Sequence, residues 1–359
     1  MRVAFFAPLK APSHPVPSGD REMARNLMRM LGDHGAEVIL ASELRLRDGA
    51  GDVARQIRLI DDALDEADRL DRDLPADVAL WVTYHNYYKA PDLLGPEVAR
   101  RRGIPYVLIE SSRARKRLTG PWADFASAAE AASDAAAVIF YPTEHDRETL
   151  ERDRPEGQIL AQLPPFLDAD TLPPAGRPVP GRILAAGMMR PGDKLASYRL
   201  IAETLPALTH ADWHLQIAGD GPARDTVRGL FSDWPDRVTF LGQLDRTALD
   251  AAYGQADLFL WPGVNEAFGM VYLEAQSHGL PCVAQDRPGV RDVLVAGPYP
   301  PVAAGAAGLA LRCDWLIEDP ARRQAESLRA RAHIGAHHLR PAAANRFWAT
   351  VAPLIEGRS

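Results

Sequence analysis

Residues 261–284 read Trp-Pro-Gly-Val-Asn-Glu-Ala-Phe-Gly-Met-Val-Tyr-Leu-Glu-Ala-Gln-Ser-His-Gly-Leu-Pro-Cys-Val-Ala. This stretch predicts the end of a buried strand at Trp261, a loop over 265–269, a helix over 270–278 and a further strand from Cys282. A strand, a helix and a second strand in this order are typical of a parallel sheet. In the loop, the free amides and the dipole of the helix favour an anion such as phosphate.

The same alternation extends in both directions along the chain. In the second half, strands are predicted at 182–187, 213–218, 238–241, 258–261 and 282–285, with helices at 196–208, 223–231, 247–253 and 270–278. In the first half, strands are predicted at 3–7, 37–41, 78–83, 106–109 and 135–141, with helices at 20–31 and 55–70. Asp20 is the expected N-cap of the first helix. The second helix is expected to turn Ile57, Ile60, Leu64 and Ala67 inward.

Prolines mark the boundary between the two halves. Six of them fall between Pro164 and Pro180, which predicts an interdomain linker. We therefore expect an N-terminal domain over 1–165, a linker over 166–181 and a C-terminal domain over 182–340. Residues 341–359 are expected to form a helix that packs back toward the N-terminal domain. The predicted fold class is α/β, with two Rossmann-like, doubly wound parallel-sheet domains facing across a cleft.

Composition excludes several function classes. The 359 residues are 47% hydrophobic and 25% charged, as in ordinary soluble proteins, and their net charge is −7. A nucleic-acid partner is not expected from this charge. Two cysteines are too few for a disulfide scaffold, and no apolar run approaches ~18 residues. We expect a cytoplasmic protein without bound metal or cofactor, and the sequence neither supports nor excludes contact with a membrane surface.

Two carboxylates frame the loop over 265–269. Glu266 lies in the loop, and Glu274 lies about one turn inside the following helix. Carboxylates accept hydrogen bonds from sugar hydroxyls. The alternative is structural, with Glu266 capping the helix and Glu274 solvated.

The motif that contains these residues resembles a known family. The pattern from Glu266 to Pro281, E-A-F-G-x-x-x-x-E-A-x-x-x-G-x-P, is similar to the signature of retaining GT-B glycosyltransferases, in particular family 4. Gly219-Asp-Gly-Pro222, Phe240-Leu-Gly-Gln-Leu244 and Tyr253-x-x-Ala256-Asp257 resemble further motifs of that family in the same order. The resemblance covers most of residues 180–295 and makes the purely structural interpretation the weaker one.

The resemblance implies roles for individual residues. The C-terminal domain would hold a nucleotide-sugar donor, with Glu274 on the ribose and Glu266 on the donor sugar. The amides of Ala267, Phe268 and Gly269 would face the sugar and diphosphate, and the backbone near Gly242 and Leu244 would hold the base. The family also places an Arg and a Lys after the strand that ends near Gly187. Lys194 fits that pattern, whereas Met188 occupies the usual Arg position and Arg190 is the nearest substitute. Positive charge there would stabilise the leaving diphosphate.

The N-terminal half matches the family more weakly. Gly19 lies where the family has a Gly-rich loop, and Ser111, beside Glu110, lies where a His is usual near the donor sugar. His85 is a candidate to replace that His, although a structural role for it is equally open. Arg113, Arg115, Lys116 and Arg117 form a basic run that holds an anionic acceptor or a lipid phosphate, or is a solvated face. The acceptor or sugar side is therefore assigned to Gly19, His85, Glu110, Ser111 and Lys116.

These observations lead to one principal hypothesis and two alternatives. The resemblance implies a metal-independent, retaining hexosyltransferase that moves a sugar from a nucleotide diphosphate sugar to an acceptor hydroxyl, in surface polysaccharide or glycolipid synthesis. The acceptor is unknown and could be a sugar, a glycan or a lipid-linked compound. The first alternative is a nucleotide-sugar isomerase (epimerase) of the same architecture. The second is a non-catalytic nucleotide-sugar-binding protein.

Overall fold

The computed structural model describes residues 1–16 and 18–357, and these form two compact units. One unit comprises Met1–Pro164 and the residues from Arg340 onward, and the other is Pro165–Leu339. Each unit is built on one parallel sheet.

The sheet of the first unit has six parallel strands in the order β2-β1-β3-β4-β5-β6. The strands are β1 (Arg2–Phe6), β2 (Glu37–Leu40), β3 (Val78–Asn86), β4 (Tyr106–Ser111), β5 (Val138–Tyr141) and β6 (Ile159–Gln162). Apolar residues fill the central strands, and Val3, Leu80 and Val107 are fully buried. A sheet covered on both faces requires such continuous apolar runs.

The sheet of the second unit has five parallel strands in the order β11-β10-β7-β8-β9. The strands are β7 (Arg182–Ala186), β8 (His214–Ala218), β9 (Val238–Gly242), β10 (Leu258–Leu260) and β11 (Cys282–Val283). β7 and β10 are adjacent strands, so their carboxyl ends lie side by side. Ligands bind at the carboxyl ends of the strands in open parallel sheets.

Twelve α-helices connect or follow the strands in the described part of the chain. They are α1 (Gly19–Gly32), α2 (Val53–Asp73), α3 (Gly95–Arg102), α4 (Ala123–Ala135), α5 (Glu144–Arg152), α6 (Asp193–Thr204), α7 (Arg224–Leu230), α8 (Arg246–Gln255), α9 (Met270–Ser277), α10 (Gly305–Ile317), α11 (Pro320–His337) and α12 (Arg340–Glu356). The sequence analysis did not predict β6, α3, α4, α5, α10 or α11.

The predicted N-cap of the first helix is wrong, and the predicted inner face of the second helix is right for Ala67 but wrong for Ile57 and Leu64. Ser18, not Asp20, is the N-cap of α1, and its hydroxyl accepts a hydrogen bond from the Arg21 amide at 3.3 Å. In α2, Ile57 and Leu64 are 50% and 57% exposed. The buried face consists of Gln56, Ala63, Ala67 and Leu70. Small alanines allow the helix to lie close to its neighbours, and the Gln56 amide is satisfied by Asp48 and the Pro121 carbonyl.

The stretch interpreted as a linker is hydrogen-bonded along the second unit. The Leu167 amide donates to the His338 carbonyl at 2.8 Å, and the Arg177 amide donates to the Gly254 carbonyl at 2.7 Å. Gly176 packs so closely on Gly254 that a Cβ there would lie 2.6 Å from the Gly254 carbonyl oxygen.

Helix α12 completes the first unit. Phe347 is fully buried and stacks on Phe140 of β5, with ring centroids 5.0 Å apart and an interplanar angle of 27°. Arg340 forms an ion pair with Asp33, which follows α1, at 3.0 Å. The first unit therefore contains both ends of the described chain.

Phe347→Ala is expected to destabilise the first unit by about 3–5 kcal/mol, because it leaves a cavity against Phe140. For a unit of this size the melting temperature should fall by roughly 10 °C in differential scanning calorimetry. The matched control is Leu311→Ala, which removes a side chain that is 71% exposed and should leave the transition nearly unchanged. A wild-type melting profile for Phe347→Ala would contradict the role given to α12.

Candidate functional site

The loop between β10 and α9 turns sharply. Asn265 has a left-handed backbone with φ of 48°, and its side-chain amide donates to Asp193 at 2.9 Å. Gly269, with φ of 77°, is the N-cap of α9, and a Cβ there would lie 2.8 Å from the Tyr272 ring. Glycine is therefore required at this turn, both for its backbone angles and for the close approach of the ring.

Glu266 lies at the centre of this loop and is held by two partners. Its carboxylate Oε1 forms an ion pair with Lys194 Nζ and accepts a hydrogen bond from Trp261 Nε1 at 3.0 Å. The Lys194 ammonium also lies 5.3 Å from the centroid of the Trp261 ring. The Glu266 and Lys194 side chains are only 12% and 19% exposed, so both charges lie in a partly desolvated setting where their attraction is strengthened.

Gly187 makes room for this arrangement. A Cβ at this position would lie 2.7 Å from the Trp261 ring. Its carbonyl accepts a hydrogen bond from the Tyr198 hydroxyl of α6 at 2.7 Å, and the rings of Tyr198 and Trp261 meet edge-on at 5.2 Å. The end of β7, helix α6 and the end of β10 are thus packed around one tryptophan.

Glu274 lies on α9 and has separate partners. One carboxylate oxygen accepts a hydrogen bond from Arg246 Nη1 at 3.0 Å, and the other accepts one from the Tyr253 hydroxyl at 3.1 Å. Burial raises the pKa of the Glu274 carboxyl, and the Arg246 charge opposes that rise without cancelling it. Glu274 is therefore not the solvated residue of the structural interpretation.

Three loop amides between the two glutamates have no acceptor in the part of the chain that the structure describes. Within the ranges that the structure describes, the amides of Ala267, Phe268 and Gly269 donate no hydrogen bond. They precede the first turn of α9, where the helix dipole favours negative charge. Loop and helix together offer three backbone donors and two carboxylates to a ligand that has both anionic oxygens and hydroxyl groups.

The other residues predicted on the donor side lie around this loop with less contact. The Arg190 side chain is exposed, and its guanidinium has no hydrogen bond or ion pair with any described residue. Gly242 ends β9 with φ of 69°, and its carbonyl accepts the Gly219 amide at 2.8 Å. Leu244 packs on the core of the second unit. The structure brings Lys194 to Glu266 but does not bring Arg190 to either glutamate.

Sequence reasoning missed Arg246 and the role of Tyr253. Both residues come from α8 and meet Glu274 across 28 and 21 positions of sequence. In the sequence, Tyr253 stands out only as part of a motif. No local pattern marks Arg246 as a site residue, because it follows the N-cap Asp245 as an ordinary first-turn residue.

A second group of predicted residues lines a cavity of about 570 Å³ in the first unit. His85, Glu110 and Ser111 contribute to its wall, and Gly19 and Lys116 do not. His85 Nε2 lies 3.5 Å from Asp20 Oδ1, and His85 Nδ1 lies 3.7 Å from Glu110 Oε1.

The electrostatics of this histidine depend on its carboxylates. Burial alone would lower the pKa of His85, but Glu110 and Asp20 outweigh it and the pKa is raised. Burial raises the pKa of Glu110, and His85 opposes that rise. His85 and Glu110 have left-handed backbones, with φ of 69° and 59°. Such angles are uncommon for residues other than glycine and are often found at functional sites.

The remaining candidates of the first unit have other surroundings. The Ser111 hydroxyl is buried and hydrogen-bonded to Ser133 at 3.0 Å and to Asn86. Gly19 is an exposed residue at the start of α1 with open space around it. Lys116 is exposed on a short 3₁₀ turn. Arg113, by contrast, is buried and paired with Glu130 and Asp134 of α4, each at 2.7 Å. That arginine is therefore not part of a solvated basic face.

The described residues contain neither a metal-binding cluster nor a helix suited to a membrane. No three His, Cys, Asp or Glu side chains are grouped in a way that could hold a metal ion. None of the described helices combines the length and the apolar character needed to cross a bilayer. Both cysteines, Cys282 and Cys313, are buried free thiols.

Comparison with known proteins identifies the second unit. Residues 180–319 match the family model described as Glycosyl transferases group 1. A sulfoquinovosyl transferase of Arabidopsis thaliana is 35% identical over 98 residues, which are 27% of this chain and 18% of that protein. A GDP-mannose-dependent alpha-(1-6)-phosphatidylinositol dimannoside mannosyltransferase of Mycobacterium tuberculosis is 28% identical over 254 residues, 66% of this chain and 65% of that protein. The chain therefore spans less than two thirds of the length of these relatives.

Solved structures match over the whole chain. The sucrose-phosphate synthase of Thermosynechococcus elongatus gives a TM-score of 0.71 at 18% identity and covers 99% of both chains. Anabaena HepE in complex with UDP gives a TM-score of 0.70 at 14% identity, over 98% of this chain and 100% of that one. The prediction of an α/β fold with two Rossmann-like parallel-sheet domains is confirmed. The second unit thus carries a match to group 1 glycosyltransferases over residues 180–319, and the chain has the fold of the GT-B glycosyltransferases to which it is similar.

Proposed function

We propose that this protein is a retaining, metal-independent hexosyltransferase that moves a sugar from a nucleotide diphosphate sugar to an acceptor hydroxyl. The observation that carries the proposal is the pair of glutamates on either side of three free loop amides, Glu266 held by Lys194 and Glu274 held by Arg246. This arrangement suits a ligand with hydroxyl groups at both ends and anionic oxygens between them, as in a nucleotide sugar.

Glu274 is proposed to bind the ribose. An ionised carboxylate can accept several hydrogen bonds. Each oxygen of Glu274 already accepts one, from Arg246 or from Tyr253, and keeps a further lone pair. Arg246 favours the charged form against burial. The free lone pairs can therefore accept the two hydroxyls of a ribose ring.

Lys194 and Glu266 are proposed to act at the bond that breaks. The bond between the anomeric carbon and the diphosphate oxygen breaks, and the electron pair leaves with the diphosphate. Lys194, the loop amides and the exposed Arg190 would stabilise the negative charge that develops there. The acceptor oxygen forms its bond to the anomeric carbon on the same face, and its proton passes to the departing diphosphate oxygen. Glu266 accepts hydrogen bonds from hydroxyls of the donor sugar.

The comparisons support this class of reaction but leave the nucleotide open. The mycobacterial relative is GDP-mannose-dependent by its name, and HepE was solved with UDP. The base, the sugar and the acceptor of this protein are therefore to be found by screening nucleotides first.

The nucleotide site is tested by isothermal titration with UDP, GDP and ADP. We expect one of them to bind and Glu274→Gln to weaken that binding by about 10–100-fold, because hydrogen bonds to a charged group are worth roughly 1.5–3 kcal/mol. The control is Glu203→Gln, an exposed glutamate of α6. Unchanged affinity in Glu274→Gln would contradict the assignment of the ribose site.

The chemical step is tested by the turnover of the donor whose base is identified in this way. Lys194→Ala is expected to lower kcat about 100-fold, because it removes charge stabilisation of the leaving group. Proton NMR of the product should show the anomeric configuration of the donor. An epimerised nucleotide sugar formed without acceptor would favour an isomerase, and nucleotide binding without any turnover would favour a binding protein.

The burial of Glu274 also predicts a cost in stability. Its raised pKa means that ionising this carboxyl costs more in the folded than in the unfolded chain, so stability is lost as the pH rises from the ordinary value of 4.5 through the raised one. Glu274→Gln should therefore melt at or above the wild-type temperature at pH 7, and this advantage should disappear below about pH 4.5. Thermal unfolding at both pH values checks this, with Glu203→Gln as control. A clear fall in melting temperature at pH 7 would show that the Arg246 pair outweighs burial.

A further inference from the structure

The cavity of the first unit carries three cationic side chains that the catalytic scheme does not use. Lys10, Arg45 and Arg47 line it together with His85 and the acids Asp20, Glu110 and Asp146. We refer to it as the His85 cavity. Its charges are not balanced pair by pair, as the partners of each group show.

The acids are already engaged. Asp20 and Glu110 flank the His85 ring at 3.5 and 3.7 Å. His85 lowers the pKa of Asp20, so this carboxyl stays ionised beside the imidazole. Asp146 accepts the Thr143 hydroxyl at 2.5 Å. Each acid therefore has a polar neighbour, although burial still raises the pKa of Glu110.

The cations lack such partners. Neither Lys10, Arg45 nor Arg47 forms an ion pair with a residue in the described ranges 1–16 and 18–357, although Lys10 lowers the pKa of Asp20 and Arg47 interacts with the Tyr87 hydroxyl. Among the residues that the structure describes, Arg45 donates a hydrogen bond only to the Leu9 carbonyl, at 3.1 Å. Burial raises the pKa of the Tyr87 hydroxyl, and the adjacent Arg47 guanidinium opposes that rise.

The chain holds the two arginines on the same side. Leu46, between them, is fully buried, and its amide donates to the Pro8 carbonyl at 2.9 Å. Arg45 and Arg47 are consequently turned outward from the core, and both reach the cavity wall. The Pro8 contact also ties this segment to the stretch that carries Lys10. Three cations from two chain segments thus converge on this cavity, where the Lys10 charge acts on Asp20 without forming an ion pair with it.

We propose that the His85 cavity binds a hydroxylated compound that carries a phosphate or carboxylate, with the anionic group on Lys10, Arg45 and Arg47. The hydroxyl groups of the compound would donate hydrogen bonds to the carboxylates of Glu110 and Asp20. Guanidinium groups bind both kinds of anion through paired hydrogen bonds. A volume of about 570 Å³ lies within the ~300–1,000 Å³ typical of small-molecule sites. The inference rests on the proposed function in one respect, since it makes this compound the acceptor of the transferred sugar.

The test measures binding to the full-length chain by isothermal titration at low ionic strength. The probes are glucose 6-phosphate, glucuronate and glucose, which share a hydroxylated ring and differ in the anionic group. We expect at least one anionic probe to bind 10-fold or more tightly than glucose. Comparison of the phosphate and the carboxylate probe shows which anion is preferred.

Variants assign the binding to the cavity. The double variant Arg45→Gln/Arg47→Gln should weaken binding of the anionic probe at least 30-fold. Lys10→Gln alone should weaken its binding several-fold. Arg58→Gln, which removes an exposed arginine of α2 that does not line the cavity, should have no effect. Binding of the nucleoside diphosphate is measured on the same variants and should be unchanged, which shows that they are folded.

Two outcomes would overturn the inference. One is that glucose binds as well as the anionic probes, or that none of them binds, while the nucleoside diphosphate still binds. The other is that the arginine variants bind the anionic probe with wild-type affinity. If the nucleoside diphosphate fails to bind the wild type while the anionic probe binds, the proposed function fails and the anion site stands.

Discussion

The contact between Glu266 and its two partners, Lys194 and Trp261, is the interaction on which the candidate donor site depends. It joins the loop before α9 to the first turn of α6 and to the end of β10. Trp261 can occupy its place only because residue 187 has no side chain. We infer that this charge pair, with its low exposure, preorganises the loop and its three amides for a ligand. Such preorganisation is the main way in which proteins stabilise developing charge.

Both units keep ionisable groups in places where burial opposes their charge. Glu274 is largely enclosed by Arg246 and Tyr253, and in the first unit Glu110 is partly buried beside His85. A stable fold has no need of such groups, and apolar replacements would often be better tolerated. Their presence at the carboxyl ends of strands or on the helix that follows, where ligands bind in parallel sheets, agrees with a role in binding rather than in folding.

The sequence predicted most of the framework because buried parallel strands are continuous apolar runs. Nine of the observed strands overlap a predicted one closely, as β8 (His214–Ala218) does with the prediction of 213–218, and β11 is shorter than predicted. The buried face of a helix was harder to predict from the sequence than the position of a strand. In α2 the large residues Ile57 and Leu64 are exposed and the alanines are buried, which reverses the usual preference because close packing favours small side chains there.

The site could be predicted only where its residues are close in sequence. Glu266 and Glu274 share one loop and helix, and the motif that contains them points to a sugar-nucleotide ligand. Arg246 and the cations of the His85 cavity lie far in sequence from the residues they join in the structure. No local sequence pattern predicts these contacts. Arg113 shows the reverse case, since a basic run in sequence conceals a buried arginine paired by two acids of α4.

The most direct test of the donor site is amide hydrogen exchange with and without the nucleoside diphosphate that binds. The central claim is that the amides of Ala267, Phe268 and Gly269 receive the diphosphate. It predicts that nucleotide slows exchange in the peptide that covers 264–273, and that Lys194→Ala weakens this protection. Unchanged exchange across that loop at a saturating nucleotide concentration, with protection elsewhere in the chain, would contradict it.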